Sequence, residues 1–533
     1  MTDLLLGGVV MLVVIAAAAT IGPRLGVAAP LLLVGAGLLG SVLPFVPELD
    51  IDPELVLQGL LPPLLYSSAV SMPAMNFRRD FRAIGGLSVL LVLASAVVLG
   101  LFLAWVIPGL SVWWGIALGA VLSPTDAVAT SIVERGRVPP RVVTILDGES
   151  LLNDATALVL LRTAVAATAA AFSFGAALGS FVLAVAVATA VGAVVGRVTL
   201  AVRSRIPDAT VNTVISFTVP YLAAFPAEEL GGSGLVAAVV AGLVTGYGAP
   251  RELSPRNRLT DSINWRTIEV VLEGLVFLTM GLQLSGIVGE VHREHAGLGT
   301  ATLIAVAALL LGMVVRAAYV GLLLAGLARR ARRGAAVQPR MLDFQQRLAA
   351  GTLEPRGPRP LGTRRTERLG TRLRRTLSDI DYLQAQPLGA RQGFVVVWAG
   401  MRGAVTVAAA QTLPADTPHR SLLVFVAFAV ATLSLLIQGG TIGPIARRIL
   451  PETDPAEAES ERRELLALLR SAELGVSHEG LSPKRHRLAV LDAQRDVVLD
   501  ARDDGVFDAE VLQYALATID AEQIALDMRG GPD

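Results

Sequence analysis

The chain of 533 residues contains no cysteine, which excludes disulfide bonds, thiolate metal sites, iron–sulfur clusters and cysteine nucleophiles. Charge is also sparse: 17% of the residues are charged, where a soluble domain usually has about 25%. The 45 basic and 45 acidic residues cancel, which argues against a general nucleic-acid partner. Apolar residues are abundant, at 53%, and the mean hydropathy is +0.61. Over this length, such a composition predicts a polytopic membrane protein.

Histidine is scarce as well, and the five residues fall in predicted loops or in the C-terminal tail, at His292, His295, His419, His478 and His486. An intramembrane serine protease with a histidine base, a haem protein or an intramembrane zinc site would need such side chains at membrane depth. The chain also lacks a nucleotide-binding P-loop, which argues against ATP-driven pumping. We therefore expect no enzyme activity and no cofactor.

Thirteen stretches are candidate transmembrane helices, each of which needs about 20 mostly apolar residues. They lie near 4–21, 27–43, 54–72, 84–107, 112–132, 146–171, 174–201, 209–226, 233–248, 267–288, 299–327, 393–412 and 421–446. The first stretch has no basic leader, so we expect it to be retained as a span and not cleaved as a signal. The lipid bilayer is thus the first predicted partner.

The loop arginines predict the orientation of these spans. Alternate loops, starting with the first, hold most of them, at Arg24 and within 78–82, 135–141, 203–205, 251–266 and 329–391. The opposite loops hold only Arg293 and Arg420. Because cytoplasmic loops are enriched in basic residues, we predict a plasma-membrane protein with its N-terminus outside and its C-terminus in the cytoplasm.

Two pieces lie outside the predicted spans and carry opposite charge. The insertion 329–391 has 15 basic and 5 acidic residues, whereas residues 452–533 have 9 basic and 19 acidic residues. Both are interpreted as solvated cytosolic structure, and the tail has helical periodicity. Opposite net charges predict that the two pieces attract each other.

Ionisable residues inside a span usually mark a functional site or its partner. Asp126 lies mid-span in VLSPTDAVAT, beside Pro124, which lacks an amide proton and predicts a break in the helix. A break at membrane depth is tolerated only where it is buried or lines a cavity. Free carbonyls, the Thr125 hydroxyl and the Asp126 carboxylate would then converge, as an oxygen set suited to a hard monovalent cation.

The next span opens with LDGESLLNDATALVLL, which places four polar residues at i, i+1, i+4 and i+5: Glu149, Ser150, Asn153 and Asp154. This spacing puts them on neighbouring stripes of one helix face, which predicts the mouth and floor of a pathway. The alternative is that the span begins later and that these residues are interfacial caps. That alternative fits Glu149 better than Asp154.

Two arginines also lie inside spans, Arg316 in LLLGMVVRAAYVGLLL and Arg402 in VVVWAGMRGAVTVAAA. Buried arginines need carboxylate or carbonyl partners. We predict that Glu149 pairs with one of them, which leaves the two aspartates free to titrate or to bind. Glu273, in the span near 267–288, is interpreted as a site residue, an arginine partner or a subunit contact, and the last two roles are favoured.

The segments SPTDAVA, GESLLNDA, WAGMRGAVTVA and LIQGGTI, in this order over thirteen spans, resemble the cation–proton antiporter family of NhaP-type and NHE-type Na⁺/H⁺ exchangers. The resemblance implies an all-α membrane domain (1–449) of two inverted repeats, a cytosolic tail (450–533) and a homodimer. The core would comprise the spans within 84–171 and 299–446, interrupted by the insertion. The dimer side would comprise those within 4–72 and 174–288. Two broken helices, at 112–132 and 393–412, would cross near the midplane.

The resemblance also implies the ion-site residues, namely Thr125, Asp126, Ser150 and Asp154, with Asn153 as the neutral neighbour of Asp154 and Glu149 as the buried ion-pair carboxylate. A single aspartate in the Asn153–Asp154 pair implies electroneutral exchange of one cation for one proton. One position departs from the family pattern. Bacterial relatives often have an acidic residue where LPPLLYSSAV has Ser67, so a role carried by that acid is in doubt.

We therefore expect an antiporter that exchanges Na⁺ or Li⁺ for H⁺ by competition at Asp154. K⁺/H⁺ exchange on the same scaffold is the first alternative, because oxygen ligands alone do not fix the cavity size. A cation channel is the second, although the sequence lacks a repeated filter loop of the potassium-channel type. A membrane enzyme is the third, and the absence of membrane histidines and cysteines argues against it.

Overall fold

The computed structural model describes residues 2–43, 52–134, 138–169, 174–293, 297–349, 363–450, 455–477 and 480–529. Within these ranges, every regular element is a helix. The first thirteen α-helices are α1 (Thr2–Leu25), α2 (Ala29–Ser41), α3 (Leu61–Ser71), α4 (Ala74–Gly85), α5 (Val92–Val106), α6 (Val112–Leu122), α7 (Val128–Glu134), α8 (Pro140–Ala169), α9 (Phe174–Arg203), α10 (Ala209–Glu229), α11 (Gly234–Glu252), α12 (Pro255–Leu282) and α13 (Leu284–Arg293).

Nine more α-helices follow: α14 (Leu298–Ala349), α15 (Thr363–Ala385), α16 (Ala390–Trp398), α17 (Ala404–Gln411), α18 (Arg420–Ser434), α19 (Gly440–Ile449), α20 (Pro455–Leu474), α21 (Pro483–Asp504) and α22 (Ala509–Met528). Three π-helical segments, Leu55–Leu60, Gly86–Leu91 and Leu435–Gly439, continue directly into α3, α5 and α19. The chain forms two compact units. The first is Met1–Leu253, Asn257–Gly321 and Arg391–Pro451, and the second is Ser254–Arg256, Leu322–Ala390 and Glu452–Asp533.

The predicted all-α polytopic architecture is confirmed, because each of the thirteen predicted spans overlaps a helix or a pair of consecutive helices. Eight helices in the described part of the chain are long and apolar enough to cross a membrane by length and composition. The count of thirteen crossings stays a prediction. Some predicted features lie outside the described residues, namely Arg135, Arg137, His295, His478 and part of the insertion (350–362).

Two helices extend well beyond the predicted spans. The span near 299–327 is the first part of α14, which continues to Ala349. The span near 84–107 overlaps the continuous helical stretch Ala74–Val106, made of α4, the π-helical segment Gly86–Leu91 and α5, which begins before the span. Hydropathy falls where the apolar stretch ends, but Arg, Ala, Gln and Leu remain good helix formers beyond that point. A drop in hydropathy therefore locates the end of the apolar surface and not the end of the helix.

The helix that carries the GESLLNDA motif begins earlier than predicted and is anchored by a buried ion pair. α8 begins at Pro140, a residue favoured in the first helical turn. Arg141 Nη2 lies 2.9 Å from Asp80 Oδ1 of α4, and both side chains are at most 2% exposed. Glu149 is therefore in the third turn of α8. The alternative that it caps the start of the helix does not fit this geometry.

In the second unit, helices of the insertion and of the tail are in contact. Asp504 of α21 lies 3.5 Å from Arg374 Nε and 3.7 Å from Arg375 Nε, both of α15. The tail helices are joined to each other by further ion pairs, such as Arg495 with Asp520 at 3.1 Å. Carboxylates of the acidic tail thus meet guanidinium groups of the basic insertion, as their opposite net charges predict.

Candidate ion-binding site

Two helices of the first unit are interrupted, and the interruptions touch each other. The first runs from Ser123 to Ala127, between α6 and α7, and the second from Ala399 to Gly403, between α16 and α17. The Asp126 backbone N–H donates a hydrogen bond of 2.8 Å to the Met401 carbonyl. Broken helices in contact with each other place free backbone groups and charged side chains together.

Arg402 bonds the carbonyl oxygens that these breaks would otherwise leave without partners. Its Nε donates to the Leu122 carbonyl at 2.9 Å, and its Nη1 donates to the Gly400 carbonyl at 2.6 Å. Its backbone N–H donates to Ser434 Oγ of α18 at 2.9 Å. The expectation of free carbonyls near Asp126 is therefore modified, because a fixed guanidinium already engages two of them.

Gly403 makes the close approach of the two breaks possible. A Cβ atom at this position would overlap the carboxylate of Asp126, so every other amino acid would displace that side chain. The same carboxylate accepts a hydrogen bond of 2.9 Å from the Val128 backbone N–H through Oδ1. Asp126 therefore satisfies an amide in the first turn of α7 and presents the rest of its carboxylate to the surrounding space.

Glu149 is fully engaged in a buried ion pair. Arg316 Nη2 donates to Glu149 Oε2 at 2.8 Å, and Nη1 donates to Oε1, so that the pair is bidentate. Both side chains are 2% exposed. Arg316 Nε also donates to the Val396 carbonyl of α16 at 3.0 Å, and the Thr125 hydroxyl donates to Glu149 Oε1 at 3.1 Å. Of the two arginines predicted as partners, the structure pairs Glu149 with Arg316.

Asn153 holds Thr125 in place from the adjacent helix. Its Nδ2 donates to the Thr125 carbonyl at 3.0 Å and to Thr125 Oγ1 at 2.9 Å. Asn153 is 1% exposed. A neutral amide is suited to this position because it donates to both oxygens, whereas a carboxylate has no proton to donate to either when ionised.

Asp154 differs from these neighbours because no described residue donates a hydrogen bond to it. It is 8% exposed, and within the described residues its carboxylate has no hydrogen-bond or ion-pair partner. A cavity of about 50 Å³ adjoins it, which is room for on the order of three to five water molecules. The polar residues on the cavity wall are Ser68, Thr125, Asp126, Ser150, Asp154, Glu273 and Thr406.

The structure thus brings four predicted site residues to one cavity, namely Thr125, Asp126, Ser150 and Asp154. Asn153 contacts Thr125 but does not line the cavity. Three further predicted residues, Glu149, Arg316 and Arg402, also lie off the cavity wall and bond neighbouring helices to one another. Ser67 is not on the cavity wall. Its hydroxyl donates to Glu269 Oε2 of α12 at 3.2 Å. None of the described histidines lines the cavity either.

Glu273 is a cavity residue for which the sequence favoured the roles of arginine partner or subunit contact over a site role. It comes from α12 and lines the same cavity as Asp126 and Asp154. The available sequence signal was an ionisable residue within an apolar span. That signal does not show which face of α12 turns toward the two broken helices, because this depends on the packing of segments more than a hundred residues apart.

A helical membrane protein with two broken helices in contact, and an unpaired buried carboxylate beside a cavity, has the features of a secondary transporter. The family described as sodium/hydrogen exchanger, transmembrane, matches residues 9–448. The chain therefore belongs to the sodium/hydrogen exchanger family, and the predicted resemblance is confirmed.

Similar proteins cover most of the chain or large parts of it. Rv2287 of Mycobacterium tuberculosis (strain H37Rv), described as an uncharacterized Na⁺/H⁺ exchanger, is 29% identical over 98% of this chain and 97% of its own length. YjcE of Escherichia coli, described in the same way, is 37% identical over 48% of this chain and 49% of its own. The sodium, potassium, lithium and rubidium/H⁺ antiporter of Bacillus pumilus is 26% identical over 84% of this chain and 63% of its own.

A solved structure supports the fold. The sodium proton antiporter MjNhaP1 from Methanocaldococcus jannaschii, determined at pH 8, matches with a TM-score of 0.60 and 17% identity. The match covers 85% of this chain and 100% of that chain. The chain therefore shares the fold of this antiporter, in agreement with the fold class predicted from the motifs.

Proposed function

We propose that the protein exchanges Na⁺ or Li⁺ for H⁺ across the plasma membrane, and that the cation and the proton compete for Asp154. One observation carries the proposal. Asp154 is 8% exposed, lines a cavity and has no hydrogen-bond or ion-pair partner within the described residues, while Glu149, five residues earlier, is fully paired. The names of the relatives, Na⁺/H⁺ exchangers and antiporters, support the same activity.

The chemistry follows from the surroundings of Asp154. A bare carboxylate is unstable in a medium of low dielectric constant, so that a proton or a cation must neutralise it. Since the same two oxygens accept either ligand, binding one releases the other. This competition is sufficient to couple the two fluxes. Asp126, Thr125 and Ser150, on the same cavity wall, would supply further oxygens to the cation.

The space around Asp154 is asymmetric, which supports alternating access. The larger cavity reaches Asp154 beside Ser150, whereas the space on the Ala157 side is a pocket of about 10 Å³. Apart from Asp154, that pocket is lined only by apolar residues: Val121, Pro124, Ala157, Leu158, Leu161, Val405 and Ala409. A site that opens to one side at a time needs such a difference.

In this mechanism, the helices within 84–171 and 299–446 form a core that carries the site. They move against the helices within 4–72 and 174–288, which form the interface of a homodimer. The N-terminus is outside and the C-terminus is cytoplasmic. The arginine distribution supports this orientation, and the inverted repeats of related transporters support the division into core and dimer side.

Exchange is proposed to be electroneutral, with one cation for one proton. Asn153 is neutral and Arg316 cancels the charge of Glu149, so neither residue adds a second exchangeable charge beside Asp154. Sealed vesicles test this directly. We expect that an imposed membrane potential, without a proton or cation gradient, drives no exchange. Potential-driven exchange would refute electroneutrality and leave the site assignment standing.

K⁺/H⁺ exchange at the same site is the second candidate. The observation in its favour is the Bacillus pumilus relative, whose name includes potassium and rubidium. A cavity of about 50 Å³ also admits ions of different size together with water.

The experiment that tests these proposals is dye-monitored proton movement in proteoliposomes after addition of Na⁺, Li⁺ or K⁺ over a pH series. The wild type should respond to Na⁺ and Li⁺, and Asp154→Asn should show no response. Asp416→Asn is the matched control, because Asp416 is exposed in the loop between α17 and α18. Exchange at the wild-type level in Asp154→Asn would refute the role of Asp154, and an equal response to K⁺ would favour the second candidate.

A further inference from the structure

Glu273 is a carboxylate on the cavity wall that the exchange at Asp154 does not use. It lies in α12, is half-buried, and lines the cavity together with Asp126 and Asp154. Within the described residues, it has no hydrogen-bond or ion-pair partner. This distinguishes it from Glu269, one turn earlier on the same helix, which accepts the hydrogen bond of Ser67.

Glu273 comes from a different group of helices than the two aspartates. A Cβ atom at Gly281 would lie 2.8 Å from Cα of Gly37, and one at Gly274 would lie 2.6 Å from the Ile15 side chain. α12 therefore packs closely against α2 and α1. Asp126 and Asp154 come from the α6–α7 break and from α8. The acidic residues of the cavity therefore come from separate helices. Glu273 is on α12, which packs against α1 and α2, and the two aspartates are in the α6–α7 break and on α8.

Glu273 reaches the cavity from a different helix than Asp126 and Asp154. In the part of the chain that the structure describes, no three acidic or histidine side chains lie close enough to hold a metal ion. A cation in the cavity can meet Glu273 as well as Asp154, because both line it. An unpaired carboxylate in a cleft with apolar walls raises the local concentration of cations and their rate of arrival.

We propose that Glu273 captures the cation in the cavity before Asp154 binds it, and so sets the apparent affinity for the cation without taking part in the exchange of the proton. The proposal rests on the exchange function proposed for Asp154. Glu273 of α12 would recognise the cation. Competition between the proton and the cation would remain at Asp154 of α8. Glu273 is on this view a recognition residue for an alkali cation.

The proposal separates two kinetic parameters. Because capture precedes binding at Asp154, neutralising Glu273 should raise the KM for the cation by roughly tenfold. Because the exchanging group is unchanged, kcat should stay within about twofold of the wild type. Glu273→Asp keeps the charge and shortens the side chain by one methylene, and it should restore most of the affinity.

The test uses the full chain in proteoliposomes, with initial rates of proton movement measured against Na⁺ concentration. Glu273→Gln and Glu273→Ser are the neutral variants, so that one remains if the other does not fold. Glu290→Gln is the matched control, because Glu290 is an exposed glutamate of α13. Both neutral variants should show the raised KM, whereas the control should match the wild type.

An unchanged KM in the neutral variants would overturn the proposal. So would a large fall in kcat, because Glu273 would then belong to the exchange step itself. Asp154→Asn in the same assay separates the two proposals. If it abolishes exchange while Glu273→Gln matches the wild type, the capture role fails and the exchange function stands. If the wild type moves no protons on addition of a cation, the exchange function fails first.

Discussion

Two buried carboxylates of α8 lie five residues apart and have opposite surroundings. Glu149 is 1% exposed and is held by Arg316 and by the Thr125 hydroxyl. Asp154 is 8% exposed, and no described residue donates to it. Residue type and burial are nearly the same, so the partners decide which carboxylate stabilises the structure and which one is available to a ligand. The following predictions test this difference.

The largest effect is expected at the unpaired carboxylate, and on transport alone. Asp154→Asn should abolish cation-driven proton movement, because an amide can neither take up a proton near neutral pH nor neutralise a bound cation. The same substitution should leave thermal stability equal or higher, because it removes a buried group that lacks a partner. A purified Asp154→Asn protein that unfolds well below the wild type would show that Asp154 has a structural partner.

The paired carboxylate should show the converse behaviour. Glu149→Gln leaves the Arg316 guanidinium buried without its counter-charge, which costs about 3–5 kcal/mol of stability. Thermal denaturation of the purified protein measures the loss. Glu252→Gln is the control, since Glu252 pairs with the exposed Arg197 at 2.6 Å and such pairs contribute at most about 1 kcal/mol. Equal shifts in the two variants would contradict the structural role of Glu149.

Gly403→Ala tests the contact between the two breaks. The new methyl group would collide with the Asp126 carboxylate, and relief by displacement should cost about 1–3 kcal/mol and lower the rate of exchange. Gly321→Ala is the control, because a Cβ atom there meets nothing within 4 Å and should be neutral or stabilising. If Gly403→Ala also keeps wild-type exchange and stability, neither exchange nor stability depends on the close approach at Gly403.

Asn153→Ala should have the smallest effect. It removes the two hydrogen bonds to Thr125, with an expected loss of about 1–2 kcal/mol. Exchange should persist at a reduced rate, because Thr125 is positioned less precisely while Asp154 is intact. Exchange rates of Asn153→Ala and Asp154→Asn, measured in one assay, show which of the two neighbouring residues is essential. Complete loss of exchange in Asn153→Ala would mean that the amide itself belongs to the ion site.

Much of the fold and of the cavity wall follows from local sequence. The apolar stretches mark the helices, Pro124 marks the first break, and buried charges mark Asp126 and Asp154 as candidates. Sequence alone indicates these positions, because a charge or a proline inside an apolar helix costs free energy however the helix packs. The neighbours of these residues in the sequence, Thr125 beside Asp126 and Ser150 on the polar stripe of Asp154, lie at the same cavity in the structure.

Other features depend on packing between distant segments. From the sequence, Arg316 and Arg402 are equally good partners for Glu149. Only the tertiary structure shows that Arg316 forms the ion pair, whereas Arg402 donates to two backbone carbonyls. Glu273 faces the cavity because of the orientation of α12 about its own axis, which its packing against α1 and α2 determines. Hydropathy also misplaces helix ends, as in α14, because it reports the extent of apolar surface and not the extent of the helix.

The bonding of the two breaks has a consequence for ion selectivity. The carbonyls of Leu122, Gly400, Thr125 and Met401 each accept a hydrogen bond, so these four do not form a ring of free carbonyls like that of a potassium filter. An ion in this cavity would meet side-chain oxygens and a space with room for several waters. We therefore expect it to keep part of its hydration shell, and discrimination by ionic radius to be shallow. Partial dehydration against one carboxylate would then set a graded preference among the alkali ions.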